Sequence, residues 1–233
     1  MKKIEECWYK DVCTNECSDG CLRFALMCAL YNQSYVPESR QVKERLKVEP
    51  VDYNEMMELK DIQTHIDDFV KIGCQLYIWS GTCGNGKTSW ALNMLWSYFD
   101  SIWHISAFNC KGVFVNVQKF LYNCKRNISH PSNDFEILCD RIESADIVIW
   151  DDITCAKSTD YEHQILFQYI DDRISQGKAN IYTGNDSKDS CIQKLGDKLT
   201  SRIWSGNVIE LKGTDKRGYK YGGTPNSKLC VEE

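Results

Sequence analysis

Eight consecutive residues, Gly81-Thr82-Cys83-Gly84-Asn85-Gly86-Lys87-Thr88, fit the pattern G-x-x-x-x-G-K-[ST] in full. Glycines let the backbone N–H groups wrap phosphate oxygens, and a helix opening at Lys87 adds partial positive charge. Lys87 is the cation for the β- and γ-phosphates of ATP, and the Thr88 hydroxyl is a ligand for Mg²⁺. Ser89 follows and joins the nucleotide-contacting set. Such a loop needs a carboxylate to hold the metal. Asp151 and Asp152 come directly after the apolar run Ile147 to Trp150. Asp151 is placed to hold Mg²⁺, directly or through an intervening ligand. Asp152 is placed to orient and deprotonate an attacking water.

Regular elements must carry these residues. Leu76-Tyr77-Ile78-Trp79 reads as a short strand before the glycine-rich turn, with a helix from about Lys87 to Phe99. Gly112 to Val117 is a second, β-branched strand. Two helices follow, the second with Phe135, Leu138 and Ile142 on one face. Asn133 and Glu136 could cap its start. Asp146 to Trp150 is apolar throughout, as a strand buried on both faces is. Leu166, Ile170 and Ile174 mark a helix that stops at Gly177. Ala179 to Thr183, Lys188 to Ile203 and Val208 to Leu211 then read as strand, helix and strand. Strand–helix alternation predicts an α/β fold, a parallel five-stranded sheet covered by helices.

Composition divides the chain of 233 residues unevenly. Residues 1–30 hold Cys7, Cys13, Cys17, Cys21 and Cys28. Residues 31–58, with Pro37, Pro50 and the charged stretch Glu38 to Lys47, read as a linker or a loosely packed helix. Residues 59–217 form the α/β domain and 218–233 a polar tail, with loosening expected after Leu211. A net charge of −5 argues against a protein coated in basic charge for duplex DNA, though not against a local groove for a single strand. No apolar run approaches the roughly 18 to 20 residues that span a bilayer. The start, Met1-Lys2-Lys3-Ile4-Glu5-Glu6, has no apolar leader, so a cytoplasmic protein with reduced thiols is expected. Cys7, Cys13, Cys17 and Cys21 offer four thiolates in a short stretch with little core of its own. Zn²⁺ would supply the missing stability there. An iron–sulfur cluster and a set of free thiols are the other readings of the same spacing.

The order of these motifs resembles the AAA+ replicative-helicase loaders of the DnaC and DnaI type, including phage-encoded relatives, with the IstB transposition ATPases as cousins. The resemblance covers about residues 59–217. It rests on the loop at 81–88, the aspartates at 151–152, and two further segments, Ile181-Tyr182-Thr183-Gly184-Asn185 and Leu195 to Ile203. It implies a three-layer P-loop NTPase with an AAA+ core and no helical lid. It implies that Asn185 is the polar residue called sensor 1, which positions the γ-phosphate and water. It makes Arg202 the trans-acting arginine that reaches the ATP of a neighbouring subunit, with Arg173 a second interface residue.

The resemblance also implies partners: a hexameric replicative helicase, single-stranded DNA, and further copies of the chain in a nucleotide-dependent oligomer. The setting would be a bacterial host cytoplasm, with a phage or mobile element as source. Residues 1–30 would be the metal-binding module that docks on the helicase. Lys119, Phe120, Lys125 and Arg126 lie where the loaders contact single strands, and cations beside an aromatic ring suit a phosphate track with base stacking. The same four residues also fit a core ring on a helix with a solvated cationic face. An IstB-like transposition helper, acting on duplex DNA, is the alternative function. A small-molecule kinase would need an arginine-rich lid that the sequence does not show.

Overall fold

The structure is a computed structural model that describes residues 7, 9, 13, 20–41, 46, 49–154 and 159–216. Five strands, β1 (Gln75–Trp79), β2 (Gly112–Asn116), β3 (Ile147–Asp151), β4 (Ala179–Gly184) and β5 (Asn207–Glu210), pair in the order β2-β3-β4-β1-β5. All four pairings are parallel. β4 thus stands between the strand that feeds the glycine loop and the strand that ends in Asp151. In register, Trp79 faces Gly184 and Asn116 faces Asp151, so the carboxyl ends of β1, β3 and β4 share one edge.

Period-two alternation gives the sheet two apolar faces. Ile78, Phe114, Ile149 and Ile181 belong to one core, and Tyr77, Val113, Trp150 and Tyr182 to the other. The first core is closed by α4 (Lys87–Ile102), and outside it by α1 (Leu22–Gln33), α2 (Tyr53–Thr64) and α3 (Ile66–Lys71). The second is closed by α5 (Val117–Ser129), α6 (Asn133–Ser144), α7 (Asp160–Ser175) and α8 (Lys188–Ile203). This is the three-layer parallel architecture expected.

Helix α4 explains an outcome the sequence reading missed. Trp90, Ala91, Leu92, Met94, Leu95, Trp96, Tyr98 and Phe99 are all buried. A helix apolar on every side must be covered on every side, and the sheet covers only one. α1, α2 and α3 cover the rest. The stretch 31–58 is therefore not a linker: its described residues Tyr31, Val36 and Met56 sit in the same core as α4. The boundary expected at 58/59 falls inside α2. The cysteine-rich segment is tied to the same helix. Tyr9 is buried, donates to Asp100 Oδ1 at 2.5 Å and lies under the Arg23 guanidinium, 3.6 Å from its ring centroid.

Smaller expectations also shift. Val117 opens α5 instead of ending β2, because the Asn116 side chain accepts the Lys119 N–H at 3.0 Å and caps the helix there. Helix α6 is preceded by Ser132, with no side-chain cap. The capping box belongs to α7, where Thr159 and Glu162 exchange hydrogen bonds. Gly196, at φ 78°, breaks α8. Arg173 is not an interface residue. It is 1% exposed and donates to Asn180 Oδ1 and to the carbonyls of Ile142, Ala145 and Ala179, which tie α6 to β4. Burial lowers its pKa to about 10. Residues 211–216 are held instead of loosening. Asp52 Oδ1 accepts from the Lys212 and Gly213 N–H groups, and Glu49 Oε1 from Thr214. The expected polar tail 218–233, and the expected lack of a lid, lie outside the described residues. No helix among the described residues is long and apolar enough to cross a membrane.

Leu59 is fully buried and Met57, on the same helix, is 49% exposed. Leu59→Ala is expected to cost about 2–5 kcal/mol in urea denaturation, and Met57→Ala within about 0.5 kcal/mol. Equal, negligible losses would mean that α2 does not pack on the domain.

Candidate functional site

The loop between β1 and α4 is shaped from behind. Thr82 Oγ1 donates to Gly213 O at 3.1 Å, and Asn85 Nδ2 donates to Leu211 O at 3.1 Å. Lys216 completes the brace, its N–H donating to Gly84 O at 2.8 Å and its Nζ to Asn85 O at 3.0 Å. Gly86 adopts φ 104°, a left-handed conformation that admits glycine readily, and α4 starts at the next residue. Lys87 lies largely buried at that start. Its Nζ donates to Thr82 O at 3.0 Å and to Asn85 Oδ1 at 3.2 Å, both within the loop.

Thr88 Oγ1 donates to Asp151 Oδ1 at 2.7 Å, and Thr183 Oγ1 donates to the same oxygen at 2.8 Å. Thr183 Oγ1 in turn accepts the Asp152 N–H at 2.9 Å. Asp152 has φ 57°, uncommon for a residue other than glycine, asparagine or aspartate. That turn sends the two adjacent carboxylates to different positions. Burial, and then the Asp151 charge, raise the proton affinity of Asp152 above the ordinary carboxylate range, against an opposing pull from Lys87. Gly184 lets β4 pass closely. A Cβ there would come within 2.5 Å of Tyr77 Oη and 2.9 Å of Thr154 Oγ1. The next residue, Asn185, donates its N–H to Thr154 Oγ1 at 3.2 Å, while its own Oδ1 is buried without a hydrogen-bond partner.

Cys83 through Ser89, Asp151, Asp152 and Asn185 line one cleft of about 450 Å³ at the carboxyl edge of the sheet. Ligands of open α/β sheets bind at this edge. Gly81 and Thr82 lie outside its lining. Two lining residues escaped the sequence reading, Arg40 and Thr183. Thr183 is a small hydroxyl residue at the end of a buried strand, a signal that was available. Arg40 is 49 residues from its contact, Ser89, and no local pattern marks it. A hydroxyl and a carboxylate converging at 2.7 Å are the hard oxygen donors Mg²⁺ takes, and Asn185 lines the same cleft, so the residues fit a nucleotide with its metal.

The other expected site residues lie elsewhere. Arg202 stands on the last turn of α8, just before β5 begins at the opposite edge of the sheet, and its Nε donates to Asp171 Oδ1 at 2.5 Å. It cannot reach its own chain's cleft. Phe120 is 2% exposed and packs against Phe135, Trp150 and Tyr169, so it is a core ring on which no base can stack. Lys119 and Arg126 are exposed on one face of α5 and line an open groove of about 480 Å³ with Tyr35 and His130. Lys125 points away from it, to Glu162 at 3.0 Å. Cys7 packs against the core beside α4, Cys13 and Cys21 are exposed, and Cys17 lies outside the described residues. Among the described residues, no group of three or more His, Cys, Asp or Glu is placed to hold a metal.

Comparison with solved structures gives the architecture a context. The DnaC helicase loader superposes with a TM-score of 0.59 at 15% identity, over 72% of this chain and 94% of that one. DnaI superposes at 0.57 and 14%, over 76% and 95%. The fold is one that these two proteins share. The replication initiator DnaA, bound to AMPPCP and single-stranded DNA, matches at 0.59 and 12%, and this chain spans about half of it, 51%. No family model matches the sequence, and no curated protein does.

The raised proton affinity of Asp152 fixes the sign of a stability effect. The folded chain holds that proton more tightly than the unfolded chain, so ionisation near neutral pH opposes folding, and stability falls as pH rises through the folded pKa. Asparagine also tolerates positive φ well. Asp152→Asn is expected to melt above the wild type near pH 7, with the gap narrowing in acid. Melting curves across that range check it, and a lower Tm near pH 7 would contradict it.

Proposed function

We propose that this chain binds ATP and Mg²⁺ in the cleft and uses hydrolysis in loading a hexameric replicative helicase onto single-stranded DNA. The observation that carries the proposal is the meeting of Lys87, Thr88, Asp151, Asp152 and Asn185 in one cleft, on a fold that spans nearly the whole of the DnaC loader. Lys87 exchanges its two acceptors in the loop for phosphate oxygens. Thr88 and Asp151 hold the metal. When bound, Mg²⁺ neutralises charge that builds on the transferring phosphoryl group. Asp152 takes the proton of the attacking water, a role that a raised carboxylate pKa suits. Asn185, which lines the same cleft, orients that water.

Arg202, turned away from its own cleft, serves the ATP of a neighbouring copy, so hydrolysis depends on assembly. Its pairing with Asp171 is half-exposed and worth little, so a phosphate displaces it at small cost. Lys119 and Arg126 supply the phosphate contacts for a single strand, with Tyr35, 40% exposed, as the ring in the same groove. The N-terminal segment grips the helicase. Zinc at Cys7, Cys13, Cys17 and Cys21 has the support of their spacing alone.

Gel filtration of the full chain with a bacterial hexameric helicase, with and without MgATP, tests the proposal. Co-elution that depends on MgATP is expected, and no complex in any nucleotide state removes the loader function. Arg202→Ala is expected to bind ATP normally but to lose about tenfold or more of the assembly-stimulated hydrolysis. Undiminished turnover in the assembled state would free Arg202 of that role. Joint replacement of Lys119 and Arg126 by alanine is expected to lower the salt dependence of single-strand binding by about 1.4 in slope, about 0.7 per lost phosphate contact. Preference for duplex would turn the assignment toward a transposition helper.

A further inference from the structure

Arg40 enters the cleft from a part of the chain that supplies nothing else to it. It ends the short 3-10 turn Glu38–Arg40, and its Nη2 donates to Ser89 Oγ at 3.2 Å. Ser89 is the third residue of α4, so the guanidinium stands at the helix N-terminus, beside Lys87. A cation is unfavourable there, because the helix dipole presents its own partial positive charge. Asp151 and Asp152 in the same cleft offset part of that repulsion. Asp151 Oδ1, however, already takes two hydroxyl donors.

The turn that places Arg40 is anchored on both sides. Before it, Ser34 O accepts the N–H of Phe114 on β2 at 2.7 Å, Ser34 Oγ donates to Tyr31 O at 2.7 Å, and Val36 is buried in the core beside α4. After it, Gln41 is buried and donates from Nε2 to Val36 O at 3.1 Å. The guanidinium is therefore held at an electropositive helix end by its surroundings. An anion with several oxygens suits a guanidinium at a helix N-terminus, and the planar fork of an arginine can grip two such oxygens at once.

The geometry points to Arg40 as a phosphate-binding residue that the N-terminal segment supplies to the nucleotide of its own chain. The inference rests on the ATP reading of the cleft and adds to it a second cation besides Lys87. It also links the nucleotide to α1. The same nineteen-residue span, 22–40, holds the helix that packs against α4 and the arginine that reaches over its first turn. Bound phosphate draws that segment onto α4, where Arg40 already donates to the Ser89 hydroxyl.

The test uses the full chain and two probes, MgATP and inorganic tripolyphosphate, each competing with a fluorescent ATP analogue. Tripolyphosphate carries charge without base or ribose, so it isolates the phosphate contact. Arg40→Ala is expected to weaken both probes about tenfold or more, the usual cost of a hydrogen bond to a charged group. Arg40→Lys is expected to recover part of the loss, and both variants to melt like the wild type without nucleotide. Hydrogen exchange across residues 34–41 is expected to slow when MgATP binds the wild type and to stay unchanged in Arg40→Ala. If Arg40→Ala melts lower, Arg40→Gln, which keeps a donor for Ser89, replaces it in the comparison. Affinities within twofold of the wild type for both probes, in a variant that melts normally, overturn the role of Arg40. If that happens while Lys87→Ala fails to bind, the ATP reading stands and only this inference falls. If the wild type binds neither probe, both fall.

Discussion

One carboxylate oxygen joins three elements of this domain. Asp151 Oδ1, at the end of β3, accepts a hydroxyl from Thr88 on α4 and another from Thr183 at the end of β4. Thr183 then takes the N–H of Asp152. Hydrogen bonds in such a chain polarise one another, and partial burial strengthens each. The position of α4 against the sheet follows from this cluster, and the rest of the architecture follows from α4. The helix is apolar around its whole circumference, so three further helices must close over it.

The cleft holds two cations and two carboxylates at close quarters. Adjacent aspartates at the end of one strand repel each other, and the chain answers with a left-handed residue at the second of them. Strained backbone of this sort persists only where the surroundings over-determine it. The Thr183 hydroxyl, fixed between the two aspartates, does so here.

Much of this was legible in the residues. The glycine loop, the two aspartates and the parallel sheet each have a local signature, continuous apolar strands above all, and each is found where the sequence places it. The larger failures concern contacts distant in sequence. Pro37, Pro50 and the charged run between them read as a linker, because the partner that buries Tyr31, Val36 and Met56 is a helix some fifty residues on. The almost unbroken apolar run from Trp90 to Phe99 was the clue that something must cover it. Residue type alone misled at Phe120 and Arg173. An aromatic ring among lysines and an arginine on a helix look like surface chemistry, yet one fills the core and the other ties α6 to β4. At Thr183 the segment was noticed, but for its asparagine, and the role of the hydroxyl appears only once β3 and β4 lie side by side.

The brace behind the phosphate loop sets an order on how the protein is made. Gly213 and Lys216 hold Thr82, Gly84 and Asn85, and Asp52, more than 150 residues earlier, holds the backbone at Lys212 and Gly213. Closing so long a loop in the chain comes late, because its entropy must be met before the contacts repay it. A nascent chain emerging from the ribosome therefore carries the whole glycine motif for most of its synthesis without the brace behind it. The loop takes its braced shape only when the segment after β5 has cleared the exit tunnel and found Asp52.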